Sequence, residues 1–496
     1  MLIQRRKELH CLVAAAIEEL YTARLPEFYG VLAYHYERGE EWERALEYLI
    51  KAAERSHRVA AYREEAFLLS QAMDIAGRLE QSSVVADLRA RRGSAWARVG
   101  MWAQARPDLE RALAELPSEH IEKRAELLSD LAGVCFWGMD VAAMSRNAEE
   151  GLAVAEKAGR ADLVGALMGW LGQAEMAAGN LAAAAELYER GLVLCRGTAA
   201  LALYPLNLYF RGRIAEAVER GRESAERSQN LSDTLSTAFG HPHFGLALAA
   251  SGRYREAMRV FQEARHFGVK YEVWPFHARS VSMSAGFHMD LYDYSGNEAL
   301  AEEARELASS ADFQPTVISA CLDLVINFTH RQELGHAEKL MEETAVAMIK
   351  VGGWHRWIWE MRMAQARMEL ALAREDWTSA LELAESSLAL RLHRGRIKYE
   401  VAALLARAKA LAALGRKPES VTDLHKALEL SRPVGDPAML LRVLTALLPI
   451  DGNDELLEEA RALARKIIAE VPTPEMLKCF ETAEPVRQLG SLLQRK

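Results

Sequence analysis

The chain has 496 residues, half of them hydrophobic, enough to bury a large core and to exclude a disordered protein. Lys and Arg total 61 against 70 Asp and Glu, and the formal charge of -9 argues against nucleic acid as the main partner. Cys11, Cys135, Cys195, Cys321 and Cys479 stand far apart without zinc-ligand or redox spacing, and no apolar run approaches the ~18 residues of a membrane helix, so a cytoplasmic protein with reduced thiols is expected.

The first element, QRRKELHCLVAAAIEELY (residues 4–21), reads as an amphipathic helix. Leu9, Val13, Ala16, Ile17 and Leu20 recur at helical spacing, and Arg5, Arg6, Lys7, Glu18 and Glu19 fall where water can reach them. From there a repeat runs along the chain. EEWERALEYLIKA, GMWAQARPDLERA, GNLAAAAELYERG, GRIAEAVERGRES, GRYREAMRVFQEA, GNEALAEEARELA, QELGHAEKLMEET, EDWTSALELAESS and GRKPESVTDLHKA align, with a weaker copy in MDVAAMSRNAEEG. A turn, often at Gly, opens each copy. A small residue follows at Ala45, Ala105, Ala184, Ala217, Ala257, Ala301, Ala337, Ala380 and Ser420, where a larger side chain would hold two helices apart. A larger residue often returns four places on, as at Leu109, Tyr188 and Phe261.

These positions recur about every 40 residues, which suits a long-helix variant of the tetratricopeptide repeat. Gly93, Gly172, Gly245, Ala366 and Ala408 lie in the preceding helices, where the partner must come close. No alternating strand pattern competes. The expected fold is all-α, a right-handed superhelix of tetratricopeptide-like hairpins. The expected division is a helical junction and first repeat over 1–75, the array over 76–450 and a helical cap over 451–496. Residues 196–206 and 268–280 read as the irregular stretches.

The segments RRKELHCLVAAAIEELY, LPEFYGVLAYHYERGEEWERALEYLIKAAERS and AYREEAFLLSQAMDIA together resemble the junction in bacterial signal-transduction ATPases fused to class III adenylate or guanylate cyclase domains. In that family an Arg-rich helix follows the ATPase module and leads into tetratricopeptide-like repeats. The resemblance implies a repeat arm working with an ATPase or cyclase module in cis or in trans. It implies no catalytic residue here, because the sequence has no G-x-x-x-x-G-K-[ST] loop. The chain then corresponds to the arm alone.

Three stretches are candidate sites. In GGWHRWIWEMRM, Trp354, Trp357 and Trp359 with Arg356 and Glu360 form either an aromatic platform for a ligand or peptide in the groove, or a first helix packed on both sides. GHPH (residues 240–243) holds two histidines, too few for a metal site, and reads as a loop or helix start. EVWPFHARS (residues 272–280) reads as a helix start with Pro275 in the first turn. No catalytic constellation, metal or cofactor is expected. The sequence points to a non-catalytic protein-interaction arm. Its alternative is a small-molecule sensor resembling the helical domain of the maltose-operon activator.

Overall fold

The computed structural model describes residues 2–195, 201–231, 234–353, 356–389, 395–451 and 453–491. Among these residues the elements are helices, with no strand. The chain divides into two compact units, Met1–Trp170 and Leu171–Lys496.

The first unit holds α1 (Leu2–Leu20), α2 (Tyr29–Gly39), α3 (Trp42–Arg58), α4 (Tyr62–Arg78), α5 (Ser82–Arg98), α6 (Trp102–Glu115), α7 (Ile121–Trp137) and α8 (Val141–Lys157). The division falls within α9 (Ala161–Ala177). The second unit continues through α10 (Leu181–Leu194), α11 (Tyr204–Phe210), α12 (Ile214–Leu231), α13 (Thr234–Ala250), α14 (Tyr254–Lys270), α15 (Trp274–Asp290), α16 (Tyr294–Ser310), α17 (Gln314–His330) and α18 (Leu334–Lys350). Then follow α19 (Arg356–Ala373), α20 (Trp377–Ala389), α21 (Ile397–Ala413), α22 (Lys417–Ser431), α23 (Pro437–Asp451), α24 (Asp454–Glu470), α25 (Pro474–Thr482) and α26 (Glu484–Ser491).

A backbone device sets the metre. Left-handed residues recur at Glu40, Ala60, Glu80 and Gly100, then at Met139, Gly159 and Gly179, and again at Gly252, Glu272, Tyr292, Asp312 and Gln332. Each lies in a three-residue turn closed by a bond from the next N–H to a carbonyl five residues back, as in Ala61 N–H to Ser56 O at 2.9 Å and Arg253 N–H to Leu248 O at 3.0 Å. This is the Schellman arrangement, which satisfies helix-end carbonyls without a side chain. It fixes helices such as α3, α14 and α15 at 17 residues. The 40-residue period is two such helices and their turns.

The close contacts explain the small residues. All nine small positions, Ala45, Ala105, Ala184, Ala217, Ala257, Ala301, Ala337, Ala380 and Ser420, are fully buried. Facing them, a Cβ on Gly93 would lie 2.8 Å from Leu109, one on Gly172 3.1 Å from Tyr188, and one on Gly245 2.9 Å from Phe261. The repeat at 296–308 shifts against the sequence alignment. Its turn is at Tyr292, and Gly296 sits inside α16 with its N–H on the Asp293 cap. The position equivalent to Ala257 and Ala337 is therefore Asn297, also fully buried, whose amide satisfies itself on Ala285 O at 2.8 Å. The GHPH histidines lie inside α13, not in a loop, and the helix runs on through Pro242.

The second unit closes on itself. Gly179, Gly212 and Gly252 have φ of +88°, +73° and +80°, and their turns meet the far end of the unit. Cβ atoms there would lie 3.1 Å from Arg396, 3.1 Å from Ile397 and 2.6 Å from Pro437. Arg255 donates to Val471 O at 3.2 Å. One core joins Ile214, Phe244 and Phe261 to Leu404, Leu444, Ile467, Phe480 and Leu489. Contacts therefore group differently from the three parts read in the sequence, because α24 to α26 share a core with α12 to α15.

Two glycines test this packing in urea melts. Gly245→Ala should destabilise by about 1–3 kcal/mol through overpacking on Phe261. Gly286→Ala, in mid-helix with open space around it, should stabilise by about 0.5–1 kcal/mol. The same sign for both would refute the packing account.

Candidate functional site

Closure of the second unit leaves a cavity of about 1120 Å³. Its walls are the inner faces of α11, α13, α15, α17, α19, α21 and α23, with α25 and α26 at one end. Lining residues recur every three or four places, as in Arg279, Met283, Gly286 and Asp290 on α15 or Lys398, Ala402, Leu405 and Lys409 on α21. That spacing is one stripe of a helix. Arg279, Ser319, Ala402 and Arg442 stand at one repeat position, each seven residues after its left-handed turn residue (Glu272, Asp312, Gly395 and Gly435).

The charged side chains are mostly paired across helices. Arg362 on α19 meets Asp323 on α17. Arg442 on α23 reaches Asp290 on α15 at 2.8 Å, spanning 152 residues of chain. Burial works against the Arg442 cation, but Asp290, Tyr292 and Asp436 outweigh it and hold it charged. His330 Nε2 lies 3.0 Å from Glu369 Oε2. Burial alone would raise the Glu369 carboxyl, yet His330 and Gln365 hold it below its ordinary value. Burial pushes Asp323 up, with Arg362 opposing.

Arg279 donates to His243 Nε2 at 3.1 Å, while His243 Nδ1 faces Ala202 O at 3.3 Å. Burial, then Arg279, pushes the imidazole well below its usual value, so it is neutral, with Nδ1 carrying the proton. Burial lowers Arg279 only to about 10, which leaves it a cation at neutral pH. Lys398 Nζ is 3.1 Å from the Tyr209 hydroxyl. The Tyr209 oxygen and then Asp290 and Asp436 raise its pKa against burial. Tyr209, Phe210, Tyr292, Tyr294 and Tyr399 supply the aromatic wall.

The aromatic stretch on α19 is divided between roles. Trp359 is fully buried among Ile318, Leu322 and Met363, with Nε1 3.2 Å from Ser319 Oγ. Trp357 is buried beneath Arg396, whose guanidinium carbon stands 4.0 Å from the ring centre, and it meets Phe210 edge-on at 5.0 Å. Arg396 in turn donates to Gly179 O at 3.3 Å. Trp357 thus belongs to the clasp that closes the unit. Arg356 and Glu360 pair with each other at 2.9 Å on the exposed face. Trp354 lies outside the described residues. The face that α19 turns to the cavity carries Ile358, Arg362, Gln365 and Glu369. The sequence alone does not single out Arg362, Gln365 or Glu369, because their common face appears only once the helix register is known.

No family model matches the chain, and no curated protein sequence does. Solved structures do. A Rap protein complexed with Competence and Sporulation Factor superposes with a TM-score of 0.54 at 12% identity, over 70% of this chain and 98% of that one. The Cut9–Hcn1 hetero-tetramer of the APC/C gives 0.48 at 14%, covering 96% and 94%. Yeast Tom70 gives 0.33 at 16%, covering 99% and 100%. At these identities the likeness shows the fold, an all-α tetratricopeptide-like superhelical repeat.

Asp436, one residue before α23, is a carboxylate whose charge burial disfavours. Burial, then Asp290, pushes it up to about 6 despite Lys398, Arg442 and the Met439 N–H that its Oδ1 accepts at 2.9 Å. Its folded pKa exceeds the unfolded value, so its contribution favours folding below about pH 4 and is lost as pH rises through about 6. Asp436→Asn keeps the helix cap. It should raise stability near pH 8 by about 1–3 kcal/mol and leave it nearly unchanged near pH 4, read from urea melts. An equal effect at both pH values would contradict the assignment.

Proposed function

We propose that this protein is a non-catalytic interaction arm whose second unit holds a peptide segment of a partner protein in its cavity. The observation that carries this reading is the cavity itself. At about 1120 Å³ it exceeds the roughly 300–1,000 Å³ of pockets that take drug-sized ligands. Rings, aliphatic side chains and charges share its walls, a mixture that can receive both the side chains and the backbone of a peptide. The Rap neighbour, complexed with Competence and Sporulation Factor, supports binding by this fold class and carries no residue over. The resemblance of residues 5–76 to the cyclase-linked ATPases supports a bacterial, cytoplasmic signalling partner, an ATPase or cyclase module in cis or in trans. No described helix is long and apolar enough to cross a membrane.

A second reading rests on the aromatic wall of Tyr209, Phe210, Tyr292, Tyr294 and Tyr399. Those rings suit a small-molecule ligand, as in maltose-activator-like sensors.

Panning a random peptide library against the intact protein separates the two. The wild type should enrich peptides, and Leu405→Trp, which fills the cavity from α21, should abolish their binding while leaving the thermal melt within a few degrees. Failure to enrich peptides, with a thermal shift from one metabolite that Leu405→Trp removes, would move the site to the second reading.

A further inference from the structure

The inner face of α21 brings two lysines to the cavity. Lys398, Ala402, Leu405 and Lys409 form one stripe along it, with apolar residues between two exposed lysines. Elsewhere the cavity carboxylates are taken: Asp290 by Arg442, Asp323 by Arg362, Glu369 by His330. Neither lysine forms an ion pair within 4.0 Å among the described residues, and the hydrogen bond of Lys398 goes to the Tyr209 hydroxyl. Asp290 and Asp436 favour the Lys398 cation from beyond ion-pair distance, so both ammonium groups leave room for direct contact with a ligand's carboxylates.

We propose that the cavity selects an extended acidic peptide, with two carboxylates received by Lys398 and Lys409 and apolar residues laid over Ala402 and Leu405. The proposal rests on the reading of the cavity as the peptide site and specifies its occupant. The geometry sets the spacing. Eleven helical residues span ~16 Å, and an extended peptide covers that with two acids about five residues apart. Focused between low-dielectric walls, two ammonium groups favour a dianion over its neutral isostere, and added salt weakens that preference.

The test uses three dye-labelled hexapeptide pools with apolar and small residues in the centre. One carries aspartate at both ends, one asparagine and one lysine. Fluorescence anisotropy with the full chain should show the aspartate pool binding at least tenfold more tightly than the asparagine pool. The double variant Lys398→Gln, Lys409→Gln should erase that advantage while the chain still melts cooperatively. Equal binding of the aspartate and asparagine pools, preference for lysine, or an advantage untouched by the double variant overturns the proposal. If the pools bind equally and Leu405→Trp abolishes both, the cavity remains the peptide site and only its acidic selectivity falls. Absence of binding by any pool overturns the acidic-peptide proposal and, with it, the reading of the cavity as a peptide site.

Discussion

Close approach of paired helices is the constraint on which the rest of this structure depends. Buried Ala, Ser or Asn at one point of each hairpin lets two backbones come near, and Gly93, Gly172 and Gly245 let Leu109, Tyr188 and Phe261 press against the opposite helix. Packing at native density leaves little tolerance there for an added methyl group. The three-residue turns act with this constraint. Because their closing bonds are made by backbone alone, helix length is the same whether the turn residue is Gly252, Glu272 or Asp312. Uniform helices stacked by uniform contacts propagate one geometry from hairpin to hairpin.

In the second unit that propagation ends in closure. The turns at Gly179, Gly212 and Gly252 touch Arg396, Ile397 and Pro437, and the terminal helices complete a common core through Phe480 and Leu489. Closure changes the chemistry of the inner face. Charged residues that an open groove would leave in water face one another across a confined space, so Arg442 finds Asp290 and Asp436 is pushed towards its neutral form. A site of this kind needs no catalytic constellation. Under the proposed function, its selectivity comes from which charges are already matched within the wall and which are left for a ligand.

Much of the repeat was legible in the sequence because it is local. Turns that fall on Gly100, Gly179, Gly252 and Gly415 announce themselves, and small residues at fixed offsets mark the contacts. Turns on Ala60, Glu80, Tyr292 and Asp312 give no compositional signal, since the surrounding helices impose the left-handed backbone on residues that rarely adopt it. Gly296 shows the cost: a helix-interior glycine beside a cap displaced one repeat by four residues. The candidate site was less legible. The tryptophans of α19 attract notice by composition, yet Trp357 and Trp359 are buried in packing. The residues lining the cavity are ordinary charges whose common face depends on exact register. Contacts such as Gly179 with Arg396, 217 residues apart, have no sequence signature at all.

The central claim is that the second unit is a closed array enclosing a cavity. Dipolar electron resonance between spin labels at positions 211 and 432, in a chain freed of its native cysteines, tests it most directly. These positions flank the meeting of Gly212 with Val434. Closure predicts a single narrow distribution at close range that does not change on dilution. A long or broad distribution would mean an open array, and the cavity with its charge pattern would not exist in solution.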